Sequence, residues 1–125
     1  MKCTIEGFSQ SEAIKFSRVE TVKDSKGDER EKVVTLDCAD LVILRWFVDL
    51  WPSMTKVELD GAQYAWINYG ELLDDMPLLG IKKRMLYNRL EKLVNFGILT
   101  RKKVSSGGVF SYYGFGPEYG RMVNG

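Results

Sequence analysis

The segment 81–96 constrains the fold of this chain more than any other. Within it, Leu86, Leu90 and Leu93 recur at the spacing that places side chains on one face of a helix. Gly97 follows, at the position where helices commonly close in the left-handed conformation. The sequence therefore predicts an amphipathic helix that packs this face on a core. The opposite face is polar and carries Arg84, Asn88, Lys92 and Asn95.

Two further helices are predicted before this one. Asp37 can cap a buried helix that runs to Pro52, because its carboxylate can accept from free backbone N–H groups. Asn68, with Glu71 three residues later, is a capping-box variant that predicts a short helix ending before Pro77.

Three β-hairpins are predicted from paired runs of strand-forming residues. The first covers about 14–23 and 30–36, around a polar turn at 24–28. The second covers 54–59 and 63–67 around Asp60-Gly61, a pair that favours tight hairpin turns. The third joins 98–104 to 109–113 through the polar tip 105–108.

The order of these elements is that of a winged helix-turn-helix domain: a buried helix, a short helix, a turn, a longer helix and a hairpin. We therefore predict an α+β fold with a three-helix core and the last hairpin as the wing. The winged-helix domain is expected over 37–113. Residues 1–36 would be an N-terminal extension with a β-hairpin, and the glycine-rich residues 114–125 a flexible surface tail.

Positive charge is concentrated in one part of the chain. Residues 82–103 contain eight Lys or Arg and one acid, Glu91, a net charge of +7. Residues 1–81 contain nine Lys or Arg against fifteen Asp or Glu, a net charge of −6. A near-neutral protein with one concentrated basic segment has a directional electrostatic field, which can orient it on a polyanion.

In winged helix-turn-helix domains the second helix of the pair enters the major groove and the wing contacts flanking phosphates. The predicted DNA-binding residues are Lys82, Lys83, Arg84, Tyr87, Asn88 and Lys92 on the helix, with Arg101, Lys102, Lys103, Ser105 and Ser106 on the wing. Asn88 is the candidate base reader, and the wing cations are expected to contact only the backbone. For Tyr87 and Asn88, base contact and simple exposure both stay open.

The placement of three cations at the start of the helix is informative. Lys82, Lys83 and Arg84 face the positive end of the helix dipole, where acids would stabilise the helix by a few tenths of a kcal/mol. Cations are favourable there when an anion binds, and the helix N-terminus adds to the attraction for that anion. A basic run on a helix is also a common solvated face, so its position before a basic hairpin is what favours binding.

Several motifs between Tyr64 and Tyr113 carry a family resemblance. They are Trp66-Ile67-Asn68-Tyr69, Leu72-Leu73, Met76-Pro77-Leu78-Leu79 and the run from Leu90 to Leu99. With them, the chain resembles the winged-helix domains of phage and plasmid replication proteins, including DnaD-like replisome organisers of Gram-positive bacteria. The resemblance implies that Lys82–Arg84, Tyr87 and Asn88 lie on the DNA-facing helix, with a wing tip at 105–108. It does not extend to the first 36 residues, and the hairpin over 54–67 is long for the plain fold.

Other classes of protein are disfavoured. No apolar run approaches the roughly 20 residues that span a bilayer, and the polar start Met1-Lys2-Cys3-Thr4 is unlike a secretion signal. Cys3 and Cys38 lack a metal-ligand spacing, and the chain has no histidine. We expect a cytoplasmic, reduced protein that uses no metal or cofactor and contacts no membrane.

Catalysis has one weak candidate, the adjacent carboxylates of Asp74 and Asp75. Without a histidine, a phosphate-binding glycine motif or a cysteine partner, a solvated helix end is the better interpretation, and we expect no enzyme. Trp46, Trp51 and Trp66 are interpreted as packing residues rather than as stacking platforms for single strands.

The leading hypothesis is a duplex DNA-binding module of a phage or plasmid replication protein. A transcriptional regulator with the same binding mode is the close alternative. A hypothesis of a different class is a protein-interaction module that docks a replication protein or a second copy, since the N-terminal hairpins offer edge strands.

Overall fold

The computed structural model describes residues 4–105 and 107–124 and has an α+β fold. In chain order its elements are β1 (Thr4–Ile5), β2 (Phe8–Ser9), α1 (Gln10–Ala13), β3 (Ser17–Lys23), β4 (Glu29–Thr35), α2 (Cys38–Leu50), β5 (Lys56–Leu59), β6 (Ala62–Trp66), α3 (Tyr69–Asp75), α4 (Lys83–Asn95), β7 (Leu99–Ser105), β8 (Val109–Phe115) and α5 (Tyr119–Asn124). None of the helices in these residues has the length and apolar composition needed to span a bilayer.

The N-terminal hairpin predicted from the sequence is present as β3 and β4, which form a two-stranded antiparallel sheet by themselves. The Asp24 carboxylate closes its turn by accepting from the backbone N–H groups of Lys26 and Asp28, both at 2.9 Å. Gly27 lies in the left-handed region with φ of 82°. Local turn chemistry therefore accounts for this hairpin.

Both predicted helix starts are confirmed by their caps. The Asp37 carboxylate accepts from the backbone N–H of Asp40 at 3.1 Å, and the Asp40 carboxylate accepts from that of Asp37 at 3.0 Å. Asn68 accepts from the backbone N–H of Glu71 at 3.1 Å at the start of α3. The first cap is reciprocal and the second is a single bond, and both satisfy backbone donors that a helix leaves free at its N-terminus.

The turn between α3 and α4 is a 3-10 helix over Pro77–Leu79, closed by Gly80 at φ of 61°. Helix α4 begins at Lys83, slightly later than the sequence predicts. It ends as expected: Gly97 has φ of 77°, and the N–H of Ile98 donates to the carbonyl of Leu93 at 3.0 Å.

The two later hairpins join into one sheet with the strand order β5-β6-β8-β7. Strands β6 and β8 pair through Ala65 with Tyr113 and Trp66 with Tyr112. The individual hairpins are predicted from the sequence, but their union is not. As a result the last hairpin is part of a four-stranded sheet rather than a free ribbon.

The end of the chain differs from the flexible tail predicted over 114–125. Strand β8 continues to Phe115, and α5 packs on β2 and α1 with Met122 completely buried. The glycine-rich segment has no period from which a six-residue helix could be predicted. Its order comes from contact with the N-terminal segment, which is distant in sequence.

One core holds the described residues together. It comprises Phe8, Ala13, Phe16, Leu41, Ile43, Leu44, Phe47, Ile67, Leu72, Leu86, Leu90, Leu93, Ile98, Leu99, Tyr113 and Met122. Phe8 and Phe16 precede residue 37, so part of the predicted N-terminal extension is integral to this core.

A buried charge network joins α2 to α4. Asp40 is completely buried, and its carboxylate accepts from Arg89 Nη1 at 3.0 Å and from Lys92 Nζ at 2.5 Å. Arg89 Nη1 also donates to Asp37 Oδ1 at 2.6 Å. Because a buried carboxylate is stable only when it is paired, this network fixes the start of α2 against α4.

We expect Asp40→Asn to lower the free energy of unfolding by about 3 kcal/mol, because Arg89 and Lys92 would lose their buried counter-charge. Urea denaturation followed by circular dichroism measures the change. Asp49→Asn is the matched control on the same helix, since its pair with Arg45 is exposed and contributes less than about 1 kcal/mol. Equal losses in the two variants would contradict this role of Asp40.

Asp37 should contribute to acid sensitivity. Partial burial acts to raise the pKa of Asp37, but the hydrogen bonds from Arg89 and the Asp40 backbone outweigh it, so the pKa is lowered. Its contribution to stability is therefore present above the unfolded pKa of about 3.9 and lost as the pH falls through the lower folded pKa. Asp37→Asn keeps a capping residue but cannot titrate, so unfolding free energy measured below pH 4 should fall less steeply than in the wild type. The same pH dependence in Asp37→Asn and the wild type below pH 4 would contradict this role of Asp37.

Candidate nucleic-acid interface

The exposed face of α4 begins with three cations and an amide. Lys82, Lys83, Arg84 and Asn88 are all exposed. Arg84 and Asn88 are four residues apart and therefore lie one above the other on the polar face, opposite the completely buried Leu86. Lys82 and Lys83 lie on the side of Leu86 and are exposed because they are at the open N-terminal end of the helix.

The N-terminus of α4 is positive and open. Lys82 occupies the N-cap position, and in the described structure its side chain makes no capping hydrogen bond and the first turn has no acidic residue. The free N–H groups and the helix dipole therefore add to the charge of the three cations. This arrangement attracts an anion to the start of the helix.

Lys92, which the sequence places among the DNA-binding residues, is used inside the protein. Its ammonium group bonds the buried Asp40 carboxylate and donates to the Thr35 carbonyl at 3.0 Å. Its side chain is only 18% exposed. Arg89, three residues earlier on the helix, has the same partner. Both cations stabilise the fold.

Arg101 on β7 is also largely withdrawn from the surface. Its side chain is 15% exposed, lies 3.7 Å from Glu91, and stacks over the Tyr87 ring at 5.1 Å from the ring centre. Burial acts to lower the pKa of Arg101. The hydrogen bond to Tyr113 and the nearby Tyr87 and Glu91 outweigh this effect, so the pKa is raised and Arg101 stays a cation. Arg101 therefore fastens β7 to α4.

Tyr87 is the centre of this contact. Lys103 Nζ lies 5.8 Å from the centre of the Tyr87 ring, and the Tyr69 ring meets it edge to face at 6.4 Å. The Tyr69 hydroxyl is in turn 2.8 Å from the Tyr113 hydroxyl. Tyr87 thus joins α3, α4 and the last hairpin, a packing role that the sequence did not reveal.

The remaining wing residues divide between the two faces of β7, because successive side chains in a strand point to opposite sides. Lys102 points away from α4 and pairs with Asp60 at 2.8 Å. Lys103, on the side of Tyr87, is exposed, as is Ser105. Ser106 lies outside the described residues.

Fewer cations of the basic segment 82–103 are therefore available for binding than the sequence suggests. Of its eight cations, four lie within 4 Å of a carboxylate: Arg89, Lys92, Arg101 and Lys102. Within the part of the chain that the structure describes, the other four have no such partner, namely Lys82, Lys83, Arg84 and Lys103. These four are free to bind an external anion.

The three tryptophans differ in exposure. Trp51 packs against Phe47 and Phe115, and Trp46 donates to Asp75 at 2.9 Å, which gives that carboxylate a structural partner. Trp66 is 48% exposed on the outer face of the four-stranded sheet. It stands edge to face with Phe110, so the packing expected for Trp66 is incomplete.

One neighbour of α4 was missed entirely by the sequence reasoning. The hairpin β3–β4 stands beside the exposed face of α4, and a groove separates them. The groove is lined by Arg18, Glu20, Lys32, Val34, Asn88, Glu91, Lys92 and Asn95. No periodicity or motif relates residues 17–35 to this helix, so only the tertiary structure could reveal the juxtaposition.

Comparisons of the chain with known proteins do not identify it. No family model matches the sequence, and neither a curated protein nor a solved structure gives a significant match. Its function has to be inferred from its own residues and their arrangement.

Proposed function

We propose that this chain binds duplex DNA as a winged helix-turn-helix module. In this proposal α3, the turn over 76–82 and α4 are the helix-turn-helix, and the hairpin β7–β8 is the wing. The observation that carries the proposal is the cluster of Lys82, Lys83 and Arg84 at the start of α4, which is exposed and, among the described residues, has no carboxylate within 4 Å.

Energetics supports binding over a purely structural role for this cluster. Three cations at the positive end of a helix repel one another and the dipole, and in the described residues no carboxylate compensates them within 4 Å. Elsewhere on the same helix Arg89 and Lys92 are both paired with Asp40. Phosphate groups of a nucleic acid supply the missing negative charge.

The positions of these residues suggest a separate role for each in binding DNA. Lys83, Arg84 and Lys103 would contact phosphates and hold the register of the protein on the duplex. Asn88, one turn after Arg84, has an amide that can donate to and accept from the edge of an adenine in the major groove. Tyr87, which packs between two cations, positions the wing.

The cellular role is a further step in this proposal. The resemblance to replication proteins favours replication initiation or replisome organisation in a phage or plasmid. A transcriptional regulator would use the same DNA-binding chemistry. Selection of bound fragments from the genome that encodes the protein would distinguish them, because origin repeats and promoter operators differ in position and arrangement.

The double variant Lys83→Glu/Arg84→Glu should abolish duplex binding while circular dichroism and the urea midpoint stay unchanged, since both side chains are exposed. Fluorescence anisotropy of a labelled duplex measures the affinity. With at least the four free cations of α4 and β7 engaged, the logarithm of the wild-type association constant should fall against log salt with a slope of about −4 or steeper.

Lys103→Gln and Lys102→Gln are matched controls on the two faces of β7. Loss of Lys103 should make the salt slope shallower by about 1, whereas loss of Lys102, already paired with Asp60, should change it little. Wild-type protein that does not bind duplex DNA at low salt would overturn the proposal.

A second candidate function is self-association through the outer face of the sheet. Trp66 and Phe110 are 48% and 38% exposed there, and Lys102 on this face is neutralised by Asp60. An uncharged aromatic face suits a second copy of the chain better than a polyanion. Sedimentation without DNA should then show a dimer that Trp66→Ser dissociates. A strict monomer would exclude this candidate.

A further inference from the structure

The hairpin β3–β4 has two faces of different character. Residues alternate between the faces of a strand, and Arg18 and Glu20 of β3 line the groove beside α4 together with Lys32 and Val34 of β4. By register, Arg30, paired with Val22, continues this inner face toward the tip. The inner face therefore carries three cations and one carboxylate.

The outer face of the same hairpin has the opposite balance. Lys23 pairs across the strands with Glu29, and Glu31 lies opposite Thr21. This face thus carries one cation and two carboxylates, and the exposed pair Val19 and Val33 follows them toward the base of the hairpin. With its turn included, the segment 17–35 is neutral, but its charge is segregated, with the excess of cations toward α4.

The groove itself contains one cation with no ion-pair partner within 4 Å in the described structure, although Glu20, the partner of Arg18, lies across the strands from it. Arg18 pairs with Glu20, Glu91 with Arg101, and Lys92 with Asp40. Among the charged residues that line the groove in the described structure, Lys32 alone has no partner of opposite charge within 4 Å. Its ammonium group is exposed beside the polar face of α4.

We propose that β3–β4 is a second DNA-contacting arm, in which Lys32 and Arg30 bind phosphates of the duplex strand that borders α4. This inference rests on the proposed function. Arg30 is 73% exposed, and its pair with Asp24 at 3.4 Å is a surface pair that a phosphate can replace at little cost. The duplex would lie between two basic hairpins, with Lys103 on one side and Lys32 on the other.

The dimensions of the arm agree with this arrangement. Each strand has seven residues and is therefore more than about 20 Å long, against a major groove about 12 Å wide. Because the arm stands beside α4 from Asn88 to Asn95, it leaves the first turn of the helix open. The duplex is thus directed to the N-terminal end of α4, with Asn88 at the edge of the groove.

Two single variants of the full chain test the arm, Lys32→Gln on the inner face and Lys23→Gln on the outer face. They remove the same charge from the same hairpin, and both side chains are exposed. We expect Lys32→Gln to make the salt slope of duplex binding shallower by about 1, and Arg30→Gln/Lys32→Gln by about 2. Lys23→Gln should leave the slope unchanged.

Arg84→Gln, measured in parallel, separates this inference from the proposed function. If Arg84→Gln weakens binding while Lys32→Gln and Lys23→Gln both behave as the wild type, the arm is excluded and the DNA-binding helix stands. Equal effects of Lys32→Gln and Lys23→Gln would also overturn the arm, because they would reflect net charge alone. A wild-type chain that fails to bind duplex DNA refutes both proposals.

Discussion

Asp40 is completely buried at the start of α2, and a carboxylate in that position must be paired to be tolerated. Arg89 and Lys92 of α4 supply the pairing, and Asp37 shares Arg89 while it caps α2. This network joins the start of α2 to the middle of α4, and with the leucines of the core it holds the polar face of α4 in place. It also explains why a helix so rich in cations is not uniformly available for binding.

The other cations of the basic segment 82–103 are likewise divided between those paired within the protein and those left exposed. Arg101 and Lys102 are adjacent in β7 but project to opposite faces. Arg101 stacks over the Tyr87 ring, and Lys102 forms an ion pair with Asp60. Four of the eight cations in the basic segment stabilise the fold, and four stay available. A cation excess in sequence is thus a poor measure of a binding surface until the internal ion pairs are known, because burial decides which charges must be compensated within the protein.

Much of the secondary structure could be predicted because it depends on neighbours in sequence. Asp37, Asn68 and Gly97 act on backbone groups within a few residues, and the Asp60-Gly61 turn sets its own hairpin. The joining of β6 to β8, the burial of Met122 and the position of the arm beside α4 could not be predicted. Each of these depends on residues tens of positions apart, for which local propensity carries no information.

For the candidate site, the amphipathic character of α4 could be predicted from its leucine spacing, and the exposure of Lys82–Arg84 from their place at the open end of the helix. The roles of the other cations could not be predicted. Packing of the core placed Lys92 against Asp40 and Arg101 against Tyr87, left Lys103 exposed, and put Lys32 beside α4. An ion pair or a groove forms between surfaces, and which surfaces meet depends on residues far apart in the sequence.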